Sequence, residues 1–325
     1  MNAFWLLCVV LSLAVFFITI ATGSLVANAA AWLIWRFTDK AQLLYWPGLL
    51  FSIRVFPVAL GLATTLGLAL PSFLLLEPKR SVEAPEPYLI VLASLALAIL
   101  VFLSMRCAKF LFRSRKTVKK WMQTSERLPI SASVPVYQLQ TPDSIIAVAG
   151  ILRPKVFAGK AALATLTAEE LLAAIAHELG HMHSLDNLKQ FVLKFTRLPS
   201  FFVSLGKIDA AWSAAAELVA DANALRYGTS PLELSSAIVK VGRLKAVPID
   251  AFSVAACHLI PPADGSSTLA VRIQHLQEAL EVPSRSRMQA KYGSRATLLV
   301  AVAVYVAALP SLLPVVHRWM EWLVR

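Results

Sequence analysis

Four long apolar runs set the strongest limit on what this chain can fold into. Phe4 to Trp35 is 32 residues without a charged side chain, and Val55–Leu76, Tyr88–Met105 and Ala296–Val316 are three further apolar stretches. A helix rises about 1.5 Å per residue, so about 20 apolar residues match the roughly 30 Å hydrocarbon layer of a bilayer. A backbone in lipid must satisfy its own polar groups, so each run is expected to be helical. Composition agrees: 58% of the 325 residues are hydrophobic and the mean hydropathy is +0.66, too apolar for an ordinary soluble domain. The first run has room for a tilted helix with an interfacial segment, or for two passes. A cleaved signal peptide fits it poorly, because no basic residues precede it, although Ala27-Asn28-Ala29 loosely resembles a cleavage site.

The basic residues orient these runs. Arg106, Lys109, Arg113, Arg115, Lys116, Lys119 and Lys120 follow the third run, and Arg285, Arg287, Lys291 and Arg295 precede the fourth. By the positive-inside rule both flanks of the intervening region face the cytoplasm. Working back, Glu77–Glu86 is outside, Arg36 and Lys40 are inside, and the N-terminus is outside. The expected organisation is a three-span membrane region at 1–109, a cytoplasmic domain at 110–295, and a fourth span with a short tail at 296–325. The net charge of +12 then reflects topology and affinity for anionic lipid. No recognition motif accompanies it, so no nucleic-acid partner is expected.

The chemistry lies between the third and fourth runs, in His177-Glu178-Leu179-Gly180-His181. Residues i and i+4 lie about 40° apart around a helix, so both imidazoles can face one metal ion. The helix is expected on independent grounds. Thr167 and Glu170 have capping-box spacing, Leu166 and Leu171 can form the hydrophobic staple, and Leu171–Ala176 is a strong helix former. A third histidine in an extended motif would need Gly and His at 184 and 187, where the chain has Ser184 and Asn187. A thermolysin-like site instead takes a glutamate from a second helix. Asp209–Tyr227 reads as one, closed by Gly228, which makes Glu217 the expected third ligand, with Asp221 one turn on to hold a histidine ring N–H. Two histidines and one carboxylate suit Zn²⁺ with a position left open for water, and Glu178 is placed to take that water's proton.

The remaining segments carry less. Val134–Gln140, Ser144–Val148 and Lys155–Ala158 read as short strands of a small sheet, at whose edge an extended peptide could add. Asn187–Gly206 either continues the zinc helix or lies against the membrane. Cys8, Cys107 and Cys257 read as small buried hydrophobes and imply no disulfide framework. His183 points away from the 177/181 face and reads as an ordinary polar residue.

These motifs together carry a family resemblance. Gly150–Phe157, Leu166–Leu171, His177–His181 with Asp186-Asn187 five and six residues on, and Glu217–Asp221 resemble the BlaR/MecR family of integral-membrane zinc metallopeptidases, and more distantly the HtpX and CAAX-processing membrane proteases. The resemblance implies a predominantly α membrane protein. Four transmembrane helices, three N-terminal and one C-terminal, would enclose an α+β gluzincin-like zinc protease domain. It implies His177, His181 and Glu217 as metal ligands, Glu178 as general base and Asp221 as the acid behind a ligand. Arg272, in Val271-Arg-Ile-Gln-His-Leu276, resembles a downstream Arg-Ile element of related proteases. Two roles are open to it: catalytic stabilisation of the oxyanion, or a structural ion pair. Members that sense β-lactams carry a penicillin-binding domain after the fourth span. This sequence ends nine residues past Val316, so no such sensor is expected.

The expected function is that of a zinc-dependent endopeptidase in the plasma membrane, cutting a cytoplasmic protein in regulatory signalling. A membrane partner protein would supply the signal. Membrane-protein quality control or processing is the alternative within the enzyme class, and a non-catalytic membrane scaffold is the alternative outside it.

Overall fold

A computed structural model describes residues 2–38, 44–78, 84–130, 134–140, 145–151, 153–199, 205–244, 256–258, 265–281 and 295–324, with backbone alone at 2, 256–258, 265–268, 281, 295–304 and 306. Helix α1 (Asn2–Phe37) is continuous, so the first apolar run makes one long helix rather than two. Helix α2 (Pro47–Thr64) passes through a π-helical turn at Thr65–Ala69 into α3 (Leu70–Leu76). Helix α4 (Pro87–Gln123) follows. Proline opens α2 and α4, where its fixed φ suits a first turn and its missing N–H costs nothing. Three helices, Ala3–Phe37, Pro47–Leu76 and Pro87–Gln123, are long and apolar enough to cross a membrane. Phe4, Leu7, Leu11, Ala14, Phe73 and Leu89 pack between them. Trp5, Leu25, Trp32, Leu75, Val91 and Leu97 face outward, as lipid allows and water does not.

The fourth apolar run is also helical, as α11 (Arg295–Val324), numbered here for its place in the chain. It docks on the π-helical turn and α3: Ser72 Oγ donates to Leu313 O at 2.9 Å. The Tyr305 hydroxyl fills the space that a Cβ at Gly67 would need. The basic residues 285–291, which orient this helix in the sequence reading, lie outside the described residues.

Helix α4 extends well past its apolar half and delivers the chain into a five-stranded sheet. The strands are β1 (Ser125–Arg127), β2 (Val136–Leu139), β3 (Ile146–Ala149), β4 (Lys155–Gly159) and β5 (Ala256–His258), in the order β1-β2-β4-β3-β5. Only β2 and β4 run parallel; the other neighbours are antiparallel. All four residues of β3 are buried, because the sheet is covered on both faces. On one face Trp121 at the end of α4 packs edge-on against Phe157, with ring centroids 5.2 Å apart. On the other, Ile175 packs against Val136, Val148 and Val156.

Ile175 belongs to α6 (Ala168–His183), which follows the short α5 (Lys160–Thr165). Its start is fixed as the sequence implies. Glu170 N–H donates to Thr167 Oγ1 at 3.3 Å, and Thr167 N–H donates back to Glu170 Oε2 at 2.8 Å. The same carboxylate accepts from Ser236 at 2.6 Å and Lys240 at 2.8 Å, so one glutamate caps α6 and ties it to α9 (Pro231–Arg243). Burial raises the Glu170 pKa, but these bonds outweigh it and hold the carboxyl below its ordinary value.

Helix α6 ends where Leu185 takes a left-handed conformation, φ 56° and ψ 34°. Asn187–Phe195 therefore does not extend the helix of the two histidines. A separate α7 (Asp186–Phe195) starts in a new direction. Helix α8 (Gly206–Arg226) begins three residues earlier than its pattern suggests and is followed by Gly228 at φ +87°, a backbone state that glycine adopts without strain. Helix α10 (Gly265–Glu281) completes the domain against α8 and α9. Between these helices lies a core dominated by small residues, Ala173, Ala174, Ala176, Ala224 and Ala237, which lets the backbones approach closely.

Candidate metal centre and active site

Three buried donors converge from two helices. His177 and His181 stand one turn apart on α6, and Glu217 faces them from α8. His177 Nε2 lies 3.2 Å from His181 Nε2 and 3.4 Å from Glu217 Oε2, and His181 Nε2 lies 3.5 Å from Glu217 Oε1. Ligands held at about 2.0–2.2 Å around a tetrahedral zinc stand about 3.3–3.5 Å from one another, so the donors already have the spacing of one face of that tetrahedron.

The tautomers point the same way. His177 Nδ1 lies 2.8 Å from Asp221 Oδ1, and His181 Nδ1 lies 2.9 Å from Asp186 Oδ2. A carboxylate can only accept, so each Nδ1 carries the proton and each Nε2 in the neutral ring presents a lone pair. Two lone pairs facing each other at 3.2 Å, beside a buried Glu217 Oε2 that accepts no hydrogen bond among the described residues, form a donor set suited to a cation. Burial raises the Glu217 pKa, but contact with His181 and the Arg272 charge overcome it and keep the carboxylate ionised. Asp221 is likewise held down, at about 2, because the Arg272 charge and the His177 hydrogen bond outweigh the effect of burial.

Glu178 sits beside this set with no solvent exposure. Its Oε2 accepts the Val148 N–H of β3 at 2.8 Å, while its Oε1 has no hydrogen-bond partner among the described residues. Burial pushes its carboxyl up to about 7, against the opposing pull of His177 and His181. The group is thus clamped by one oxygen and has the other available to exchange a proton near neutrality.

Arg272 comes from α10 and is fully buried. Its Nε and Nη2 reach Asp221 Oδ2 and Oδ1 at 2.8 and 2.7 Å, a two-pronged grip. Nη1 lies 3.1 Å from Glu217 Oε2, an ion-pair contact off the hydrogen-bond axis. The guanidinium approaches His177 from the Nδ1 side, at 3.5 Å, whereas the donors meet on the Nε2 side. Of its two open roles, this placement matches the ion pair. Arg272 holds Asp221, and Asp221 holds His177.

Several residues here were not assigned these roles from sequence. Asp186 partners His181 because the left-handed turn at Leu185 swings the start of α7 back toward α6. Asn187 Nδ2 donates to the Val148 and Gly150 carbonyls at 3.2 and 2.8 Å, fixing the end of β3 that also holds Glu178. The available signal was the Asp186-Asn187 pair that follows His181 by five and six residues in the resemblance to the BlaR/MecR family. Gly180 is the point of closest approach between the two ligand-bearing helices: a Cβ there would lie 2.8 Å from the Ala220 carbonyl oxygen. His183 is exposed, and the His258 side chain lies outside the described residues. The His275 ring lies 6.3 Å from that of Tyr45.

One pairing in the sheet touches the site. The edge of β3 is not free: Ala147, Val148 and Ala149 pair with His258, Cys257 and Ala256 of β5. A peptide adding to β3 would find that ladder already formed.

Residues 116–259 match Peptidase family M48. The matched span runs from the distal part of α4 to the end of β5 and contains both ligand helices. This part of the chain is therefore similar to the M48 peptidases, a family that is typically zinc-dependent and often membrane-bound. No curated protein matches the chain.

Proposed function

We propose that this protein is a membrane-integrated zinc endopeptidase whose metal is held by His177, His181 and Glu217. The supporting observation is the tetrahedral spacing of three buried donors with Glu178 clamped beside them. When bound, zinc supplies Lewis-acid polarisation of the scissile carbonyl and acidifies a water. Glu178 Oε1 accepts the proton from that water and returns it to the leaving amine, while the Val148 amide keeps the carboxylate oriented. Asp221 and Asp186 hold the histidine rings by their Nδ1 atoms, and Arg272 prevents Asp221 from turning away.

The donor set is tested by zinc stoichiometry in the purified full chain. The wild type should bind about one zinc, and His177→Ala, His181→Ala and Glu217→Ala should each reduce binding severely, since a three-ligand site cannot spare one. Asp221→Ala and Asp186→Ala should act more gently, by about 10–100-fold in affinity. Full zinc retention in Glu217→Ala would show that the third ligand is another residue.

The topology we propose places the N-terminus outside the plasma membrane, three spans before the peptidase domain, the domain at 110–295 in the cytoplasm, and α11 as a fourth span. The basic flank at Arg106–Lys120 supports this orientation. An introduced cysteine at position 125 should be shielded from impermeant thiol reagents in intact cells, and one at position 84 labelled. Labelling of position 125 from outside would reverse the assignment.

Within this reading, the resemblance to BlaR/MecR proteases supports cleavage of a cytoplasmic protein in regulatory signalling, with a membrane partner bringing the signal. Processing or quality control of membrane proteins is the competing role for the same active site. A comparison of proteomes from cells with wild-type or Glu178→Gln protein separates them: one accumulating regulator supports signalling, and a broad set of membrane proteins supports quality control.

A further inference from the structure

Arg54 lies on the second apolar helix, α2, yet it does not face lipid: it is 5% exposed. An arginine buried within a span is costly and needs compensating partners. Here the partners all belong to the peptidase domain. Nε donates to Asp209 Oδ1 at 2.7 Å, in the first turn of α8. Nη1 donates to Thr196 O at 3.1 Å and Nη2 to Leu193 O at 3.5 Å, at the C-terminal end of α7, where unpaired carbonyls and the helix dipole favour a cation.

These two helices supply the partners of both histidines. Helix α7 begins with Asp186, which holds His181, and α8 carries Glu217 and Asp221, which face His177. Glu217 lies eight residues after Asp209 on one unbroken helix, about 12 Å along its axis. Apolar packing fixes the same junction. Ile208, Trp212, Ala215 and Ala216 of α8 share a core with Ala27 of α1 and with Leu50 and Ile53 of α2, so the residues just before Glu217 rest on the apolar helices.

We propose that Arg54 is a positioning residue of the metal centre, and that the second apolar helix, through Arg54, sets the placement of α7 and α8 and thereby of the donors. The inference rests on the zinc reading above. Arg54 touches neither donor atoms nor substrate; it acts through Asp209 and through the end of α7. Asp209 supplies the carboxylate that faces the buried guanidinium.

The test uses the full chain in detergent or lipid nanodiscs, with zinc affinity read by chelator competition and donor geometry read from the visible spectrum of the Co²⁺-substituted protein. Arg54→Met keeps the stem and removes the fork. It should weaken zinc binding by about 10–100-fold, the range for residues that hold metal ligands in place, and shift the cobalt bands. Asp209→Asn should move both readouts the same way by less. Arg54→Lys should restore part of the loss, because it keeps the charge facing Asp209 but not the three-way grip. A general loss of stability would not produce a spectral change in the protein that remains folded. If Arg54→Met does not fold, Asp209→Asn decides. Wild-type affinity and spectrum in the folded variants would overturn this inference alone, and absence of metal from the wild type would overturn the zinc reading with it.

Discussion

Glu178→Gln is expected to abolish peptide hydrolysis while leaving the metal in place. The substitution preserves size, and an amide oxygen can still accept the Val148 N–H, so the position of the side chain should survive. What disappears is a carboxylate able to take and return a proton. Loss of a positioned general base lowers rates by about 10²–10⁴-fold, and here the same group serves both attack and departure. The measurement is hydrolysis of an unfolded model protein by purified wild type and variant, with zinc content determined on the same samples. Near-wild-type turnover would remove Glu178 from the mechanism. Loss of zinc together with activity would show instead that this carboxylate is part of the donor set. The buried setting sharpens the expectation, because Glu178 has no solvent exposure and the carboxylate is not easily replaced by a bulk base.

Gly180→Ala should be nearly as damaging, for a purely steric reason. In an isolated helix the change is favourable by about 1 kcal/mol, since alanine is the better helix former. Here the new methyl would stand 2.8 Å from the Ala220 carbonyl oxygen and 3.1 Å from its Cα, and neither atom can move without moving α8. Overpacking of this kind costs about 1–3 kcal/mol. Because Glu217 and Asp221 flank Ala220 on that helix, separating α6 from α8 also pulls the third donor away from the histidines. The expected outcome is a lower melting temperature and zinc affinity reduced by about tenfold or more, comparable with loss of an orienting partner. A raised melting temperature would mean that helix propensity prevails and the close approach is not tight.

The features legible in the sequence are those written locally. The capping box of Thr167 and Glu170, the glycine after α8 and the i, i+4 histidines each depend on a few neighbouring residues, and the structure shows all three where the pattern puts them. Pairing Glu217 with the histidines was also within reach, because a zinc site of this kind has a fixed donor count and the second helix offered a carboxylate. Strand limits and the start of α8 were read less well, since apolar runs do not mark where a ladder begins. The pairing of β5 with β3 is not legible locally: β5 lies more than 100 residues after β3 in the chain, and no local pattern announces it.

Sequence alone determined that this chain has helices long and apolar enough to span a bilayer and that it carries the residues of a candidate metal site, two histidines one turn apart and a later glutamate. Hydrophobic length and helical period are properties of contiguous residues, and they hold wherever the helices finally pack. Tertiary structure decided the rest. It gave Asp186 to His181 through one left-handed residue, put Arg272 behind Asp221, left glycine as the residue at 180 that fits against α8, and buried Arg54 against the ends of α7 and α8. Arg54 and Asp209 are 155 positions apart, and Arg272 and Asp221 are 51 apart. Charges so distant in sequence become partners only when packing removes them from water and leaves each the other's best source of compensation.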